Sequence, residues 1–579
     1  MYLNFSVLIS SIPGTVVRLK KEKSTYVQLE LGRSYNSEKK YNVAKRTIIG
    51  KVCPDDEKRM FPNERFLKEF PEHAVPEERE EAKRSCCLKI GAYLVIKKVI
   101  QEYELDAFLE KQLGDNAGLF VDLLSYMIVN EDNAGQYYPD YAFTHPLFTK
   151  GMRILSDSTV SRFFNQISKD NILGFLNDWN EKQDHHSRIY ISYDSTNKNS
   201  QAGDINLLEF GNAKENKDTP IFNLSIAFDK TNCTPLFYEE YPGSINDVSQ
   251  LRYLVDKVKD YNYKNVGFIL DRGYFSADNL RYMDENKYPF VMMLKGNKPL
   301  VASIVLEKKG TFEESRDCRI NGTSLYAITS QKSFTFETKK RYFHLYFNPT
   351  RAAVEREQFE GQLDKMATLL EKHYGEEIAL EHSPLKDYYE FLFDKKKFIG
   401  FTEKKDAIEA RLRLCGYFAI VTSEKMTASE AYFLYKGRDP SEKLFRADKS
   451  FLGSKSMRVH TEAALSSKVW LGFVALIVRN RIYNLLKDEM LRLPVRKNYM
   501  TVPAAIKELE KIEMVRRSGN LYRLDHAVTK TQLSILNAFG IGKDDVLAEA
   551  ATIAAALEKT TNEKGEDDAA REELEDAGL

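Results

Sequence analysis

The chain has 579 residues, of which 43% are hydrophobic, 12% aromatic and 29% charged: the composition of an ordinary soluble globular protein with length for roughly two to four domains. Net charge is zero, but ten Lys and Arg face three Glu from Met1 to Lys51, and twelve acidic residues face three basic ones from Asp544 to the end. A basic head and an acidic tail cancel in the sum and act separately in space, so neutrality does not exclude a nucleic-acid partner. The six cysteines, Cys53, Cys86, Cys87, Cys233, Cys318 and Cys415, show no C-x-x-C pairing and no His cluster at zinc spacing, which excludes a disulfide framework or a structural zinc. The longest apolar run, Val469–Val478, is too short to span a bilayer, and the N-terminus lacks a signal-peptide pattern, so the expectation is a cytoplasmic protein with no membrane partner.

Residues 1–54 alternate apolar and polar side chains (T-V-V-R-L-K, T-Y-V-Q-L-E-L) and read as a small basic β-rich region. The charged, proline-punctuated stretch 55–86 reads as a linker. Residues 87–187 have the pattern of a helical domain that could bind DNA. Within it Ser156–Ile167 is a capped amphipathic helix, suited to the second helix of a helix-turn-helix or, the commoner use of such a pattern, to a bundle without a DNA role. His185-His186 reads as a surface pair.

From residue 188 to 297 the pattern becomes α/β. R-I-Y-I-S-Y-D reads as a strand ending on Asp194; 221–229 and 234–238 form a hairpin; Asp247 caps a helix; V-G-F-I-L-D is a buried strand ending on Asp271; Ser276 starts a helix, and 289–295 is a further strand. Ligand sites in α/β sheets lie outside the carboxyl ends of strands, so two aspartates 77 positions apart can converge there. Residues 298–425 read as a β-rich insertion with one long helix, 426–490 as a return to the core, 491–557 as a C-terminal helical segment, and 558–579 as an acidic disordered tail.

The return begins with Thr427–Ser450, T-A-S-E-A-Y-F-L-Y-K-G-R-D-P-S-E-K-L-F-R-A-D-K-S. Read as one helix, it places Tyr435, Arg438, Glu442 and Lys449 within an arc of about 60°. A carboxylate ringed by two cations and a phenol suits a metal-bound phosphodiester. Pro440 is a possible break, with Asp439 capping a new helix.

These residues carry a resemblance. The spacing Y-x2-R-x3-E-x6-K is similar to the signature helix of DDE-type transposases of bacterial insertion sequences, in the family-four group; Y-D-S-T-N at 193–197 resembles the first-aspartate motif and L-D-R-G-Y-F-S at 270–276 the second. The resemblance covers about half of the chain and implies an RNase H-like catalytic core with a β-rich insertion, flanked by an N-terminal β/helical region and C-terminal helices. It implies Asp194, Asp271 and Glu442 as catalytic residues holding two Mg²⁺ or Mn²⁺ ions about 3.5–4 Å apart. It further implies Tyr435, Arg438 and Lys449 on DNA, with Arg272 and Lys295 as weaker phosphate contacts. The implied partners are double-stranded DNA, both the element's inverted-repeat ends and its target, and a second copy of the chain. The implied location is the bacterial cytoplasm, on the nucleoid. Two features depart from the family: G-N-A-K-E-N-K-D at 211–218 matches its loop only loosely, and Ser466-Ser467-Lys468 stands where relatives often have a His. A catalytically silent end-binding protein or inhibitor, and an RNase H-like nuclease without strand transfer, are the alternatives.

Overall fold

The structure, a computed structural model, describes residues 2–576 except 4, 22–23, 38–39, 55, 72–83, 201, 203–204, 212–217, 246, 295–298, 378–383 and 517–520; the side chains of 247, 384, 439, 441–442 and 560–576 also lie outside the description. The chain divides into two compact units, Met1–Leu88 with Met514–Arg523, and Lys89–Glu513 with Leu524–Leu579.

In the first unit, strands β1 (Val7–Leu8), β2 (Val16–Lys21), β3 (Ser24–Asn36), β4 (Tyr41–Val52) and β5 (Arg59–Pro62) form an antiparallel sheet in the order β1-β5-β4-β3-β2. Alternation along β3 turns Val27 and Leu29 inward, where they join a core with Ile49, Met60 and Phe66. Arg18, Lys20 and Lys21 stay exposed on β2. The expected linker begins instead as structure: Met60 on β5 is fully buried, and the Glu64–Glu69 helix follows, its Asn63 cap accepting from the backbone of Arg65 and Phe66. Strand β6 (Cys87–Lys89) opens a separate three-stranded sheet.

The second unit is built on one eight-stranded sheet. Its strands are β7 (Ile189–Asn199), β8 (Ile221–Asp229), β9 (Thr234–Pro242), β10 (Val266–Leu270), β11 (Phe290–Leu294), β12 (Tyr326–Lys332) and β13 (Arg341–Phe347), with β14 (Tyr389–Asp394) and β15 (Lys397–Glu403) forming a hairpin apart from it, and finally β16 (Tyr417–Thr422). The order is β12-β13-β16-β11-β10-β7-β8-β9, with only β11-β10 and β10-β7 parallel. Strands β8 and β10 are buried at every residue, as strands covered on both faces are.

Three strands expected in a separate insertion, β12, β13 and β16, are thus part of the main sheet. What stands apart is the β14–β15 hairpin with the helices Pro349–Lys372 and Lys405–Leu412, around its own core of Phe359, Leu363, Leu370, Tyr389, Phe398 and Ile408. Strand β7 also runs five residues beyond Asp194, where the strand was expected to end. The polar S-T-N-K-N continuation is held by full pairing to β8, out to Asn199 opposite Ile221.

The helices at 91–181 do not form a domain of their own; several pack around the 31-residue helix Glu462–Arg492. Trp470 of that helix lies with its ring 4.4 Å from Phe120 and 5.5 Å from Phe175, centroid to centroid. Glu462–Arg492 is long and apolar enough to cross a membrane, but 72% of its most apolar 18-residue window is buried inside the protein, which makes it the central helix of this bundle. The Asp157–Gln166 helix, capped by Ser156, buries Val160, Phe163 and Phe164. Strands β17 (Glu513–Arg516) and β18 (Tyr522–Leu524) complete the sheet begun by β6. The tail expected to be disordered continues the helix Lys543–Asp576, whose Ala- and Glu-rich sequence favours that state.

Candidate active site

The register of the parallel pair β7 and β10 sets Leu270 opposite Tyr193, so Asp194 and Asp271, the next residue of each, follow from neighbouring strands at the same end of the pair. Asp271 leaves the sheet as the cap of a short turn, Arg272–Tyr274, and its Oδ1 accepts the Arg272 N–H at 2.6 Å. The Oδ1 of Asp194 accepts the Ser195 N–H at 3.0 Å. Their side chains are 15% and 31% exposed, open to solvent but shielded enough for charge to matter.

The signature stretch is two helices, not one. Thr427 and Glu430 form a reciprocal cap for Ala428–Lys436, and a second helix runs Asp439–Phe451 with Pro440 in its first turn. The break falls at Gly437–Arg438, with Arg438 rather than Asp439 at the cap position. Gly437 lies against the stem of Lys230, where any Cβ would collide with that side chain.

The break aims Arg438 at the acids. Its Nη1 is 2.9 Å from Asp271 Oδ1 and its Nη2 3.5 Å from Asp194 Oδ2, so one guanidinium spans both carboxylates. Nη1 also donates to the Tyr435 hydroxyl at 3.3 Å, and that hydroxyl reaches Asp271 Oδ1 at 3.5 Å. Burial, then the nearby Asp271 charge, raise the Tyr435 phenol well above its ordinary range, so it remains a protonated donor.

Of the other expected site residues, Lys449 is half-buried near the end of the second helix, and Arg272 is exposed beside Asp271. Glu442 falls one helical turn after Arg438; its side chain lies outside the description, as does all of Lys295. His185 is partly buried: its Nε2 pairs with the Asn180 carbonyl at 2.8 Å and its ring stacks on Tyr263 at 4.5 Å, a packing role, while His186 is exposed.

Sequence reasoning missed Lys198 and Asp448. Lys198 lies four residues after Asp194 on the same face of β7, and its Nζ is 2.9 Å and 2.8 Å from the two carboxylate oxygens of Asp448 on the Asp439–Phe451 helix. Glu240 on β9, also unremarked, accepts from Ser466 at 2.9 Å, and burial pushes its carboxyl up to about 7. The Ser-Ser-Lys run is therefore structural in two places: Ser466 holds Glu240, and Ser467 donates to the Phe164 carbonyl at 2.8 Å.

Divalent cations such as Mg²⁺ take oxygen ligands, and Asp194 on β7 and Asp271 just past the end of β10 offer such a pair. The Arg438 cation lying across them marks the place where positive charge is favoured. Among the described residues, no group of three His, Cys, Asp or Glu converges as a metal site.

Fold and site together define a mixed α/β protein with a paired-aspartate centre spanned by an arginine. Residues 191–478 match the family model described as the transposase DDE domain, a span of just under half the chain that contains both aspartates and the whole signature stretch. The match supports a DDE transposase, an enzyme that acts on DNA. No curated protein matches the chain.

Proposed function

We propose that this chain is a transposase of the family-four insertion-sequence group, which cuts DNA at the ends of its own element and joins the freed 3′-OH ends to target DNA. The observation that carries the proposal is the meeting of Asp194 and Asp271 under Arg438 and Tyr435, from three separate stretches of sequence. The sheet order β9-β8-β7-β10-β11, with its parallel centre, supports an RNase H-like core.

In this reading Asp194 and Asp271 hold two divalent cations, Mg²⁺ or Mn²⁺, with Glu442 as the third carboxylate. When bound, such ions supply Lewis-acid stabilisation of the phosphoryl group and an activated water. Arg438 leaves the aspartates for the incoming phosphodiester and grips it as a fork, the planar geometry that favours Arg over Lys at phosphate. The Tyr435 hydroxyl donates a hydrogen bond to the same phosphate. Lys449 and Arg272 add charge along the DNA backbone. A dimer with each copy acting on one end, working in the cytoplasm on the nucleoid, completes the proposal.

The test is nicking of duplex DNA taken from the borders of the gene, with Mg²⁺. Asp271→Asn should abolish nicking and keep DNA binding. Wild-type protein that binds these fragments and never cuts them is an end-binding protein instead; protein that nicks but never joins a pre-cut end to plasmid DNA is a nuclease without strand transfer.

A further inference from the structure

A second feature of the same unit remains outside the aspartate centre. Between the Asp157–Gln166 helix and the segment after the signature lies a cleft of about 820 Å³. One wall is the helix face bearing Asp157, Ser161 and Asn165, spaced four apart, with the buried Val160 and Phe164 forming the apolar floor beside them. The other wall carries Arg458, His460 and Lys468. Thr461 ties the walls together, its hydroxyl donating to Asn165 Oδ1 at 2.5 Å.

The charge of this cleft is not balanced from within. Arg458 and His460 are exposed, and Lys468 is only 7% exposed. The Lys468 Nζ donates to the Arg458 carbonyl at 3.1 Å and sits 5.8 Å from the centre of the Phe164 ring. Among the described residues neither Arg458 nor Lys468 forms an ion pair. The acidic lining residue, Asp157, turns its Oδ1 to the Ser158 N–H at 2.8 Å. Burial, then the neighbouring Arg458 charge, lower the Lys468 amine to about 8 against an opposing pull from Asp132, so Lys468 carries its charge at a cost that a bound anion would offset.

Strand β7 links the cleft to the aspartates. Asn199, at its end, donates its N–H to the Lys455 carbonyl, and Ser200 lines the cleft. Asn199 is five residues beyond Asp194, about 17 Å of extended strand. At 3.4 Å per nucleotide along one strand of duplex DNA, that is about five nucleotides.

We infer that the cleft seats the sugar-phosphate backbone of the end DNA about five nucleotides from the phosphodiester held at Asp194 and Asp271. Arg458, His460 and Lys468 meet its phosphates, and Ser161 and Asn165 face the groove beside them. The inference rests on the transposase reading.

The test uses the full chain and a 40-base-pair duplex from the border of the gene, with binding followed by fluorescence anisotropy over a salt series. Arg458→Gln, at an exposed position, should flatten the slope of log affinity against log salt by about 0.9, the loss of one phosphate contact. Methylphosphonates placed four to six nucleotides from the nick should weaken wild-type binding and should weaken Arg458→Gln less. An unchanged slope, or equal methylphosphonate losses in both proteins, overturns the cleft assignment while wild-type nicking keeps the transposase reading. Wild-type protein that neither binds nor nicks the duplex overturns both.

Discussion

Lys198 and Asp448 form an ion pair across the interface between the strand that carries Asp194 and the helix that follows Arg438, with both side chains 1% exposed. Two charges out of water attract strongly but also lose their hydration, so such a pair adds little net stability and much directional constraint. Here the constraint falls between the two elements that must hold the aspartates and the arginine in register.

Removing one partner should therefore be far worse than removing both. Lys198→Met or Asp448→Leu alone leaves a buried unpaired charge, with an expected loss of about 3–5 kcal/mol. The double substitution should recover most of that stability. Urea denaturation of the three variants checks this, and a double variant no more stable than the singles contradicts it.

If the two aspartates hold divalent cations as proposed, Arg438 competes with those ions for them. At about 4 Å and an effective permittivity near 20, a unit charge pair is worth about 4 kcal/mol, and a guanidinium that must move aside takes a share of that from a metal ion. Arg438→Gln should bind Mn²⁺ about tenfold more tightly than wild type in the absence of DNA, a difference of about 1.4 kcal/mol. Calorimetric titration measures it; equal affinities would show that the bridge does not oppose the metal. The same variant should bind end DNA more weakly.

Glu240 gives the protein a pH-dependent stability. Its folded carboxyl is raised from an ordinary 4.5 to about 7, mainly by burial, so between these values the folded state holds a proton that the unfolded chain releases. Stability should fall as pH rises from about 4.5 to about 7, then level off in this component. Glu240→Gln should flatten that slope and be the more stable protein above pH 7. Melting temperatures across this range decide the matter, and parallel curves for the two proteins count against it.

Trp470 anchors the bundle between Phe120 and Phe175. Trp470→Ala should cost about 3–5 kcal/mol, as large aromatic truncations in packed cores do. Chemical denaturation reads the loss directly; a change under 1 kcal/mol would mean the bundle closes around the gap.

Much of the centre was legible in the sequence because its parts are local: an aspartate at the end of each apolar β run, and polar residues repeating at helical spacing after Thr427. Pro440 even marked the neighbourhood of the helix break, although its consequence, the turn of Arg438 onto both aspartates, depends on where the neighbouring strands lie. The Lys198–Asp448 pair spans 250 positions and leaves no local trace, since a lysine in S-T-N-K-N reads like any solvated one. Sheet membership failed for a related reason. Strands β12, β13 and β16 look the same to a local reading whether they build a separate module or widen the main sheet, and only pairing partners decide. The tail misled through its charge, which suggests disorder while its alanines and glutamates favour a helix.

The position of the Glu462–Arg492 helix has a consequence for how the protein is made. It is the spine against which helices from residues 91 to 181 bury their apolar sides, yet it is synthesised some three hundred positions later. On the ribosome those early segments must wait, uncovered, until the spine emerges. Arg438, too, arrives only after every strand of the main sheet. An unfinished chain should therefore possess both aspartates and lack the arginine that spans them.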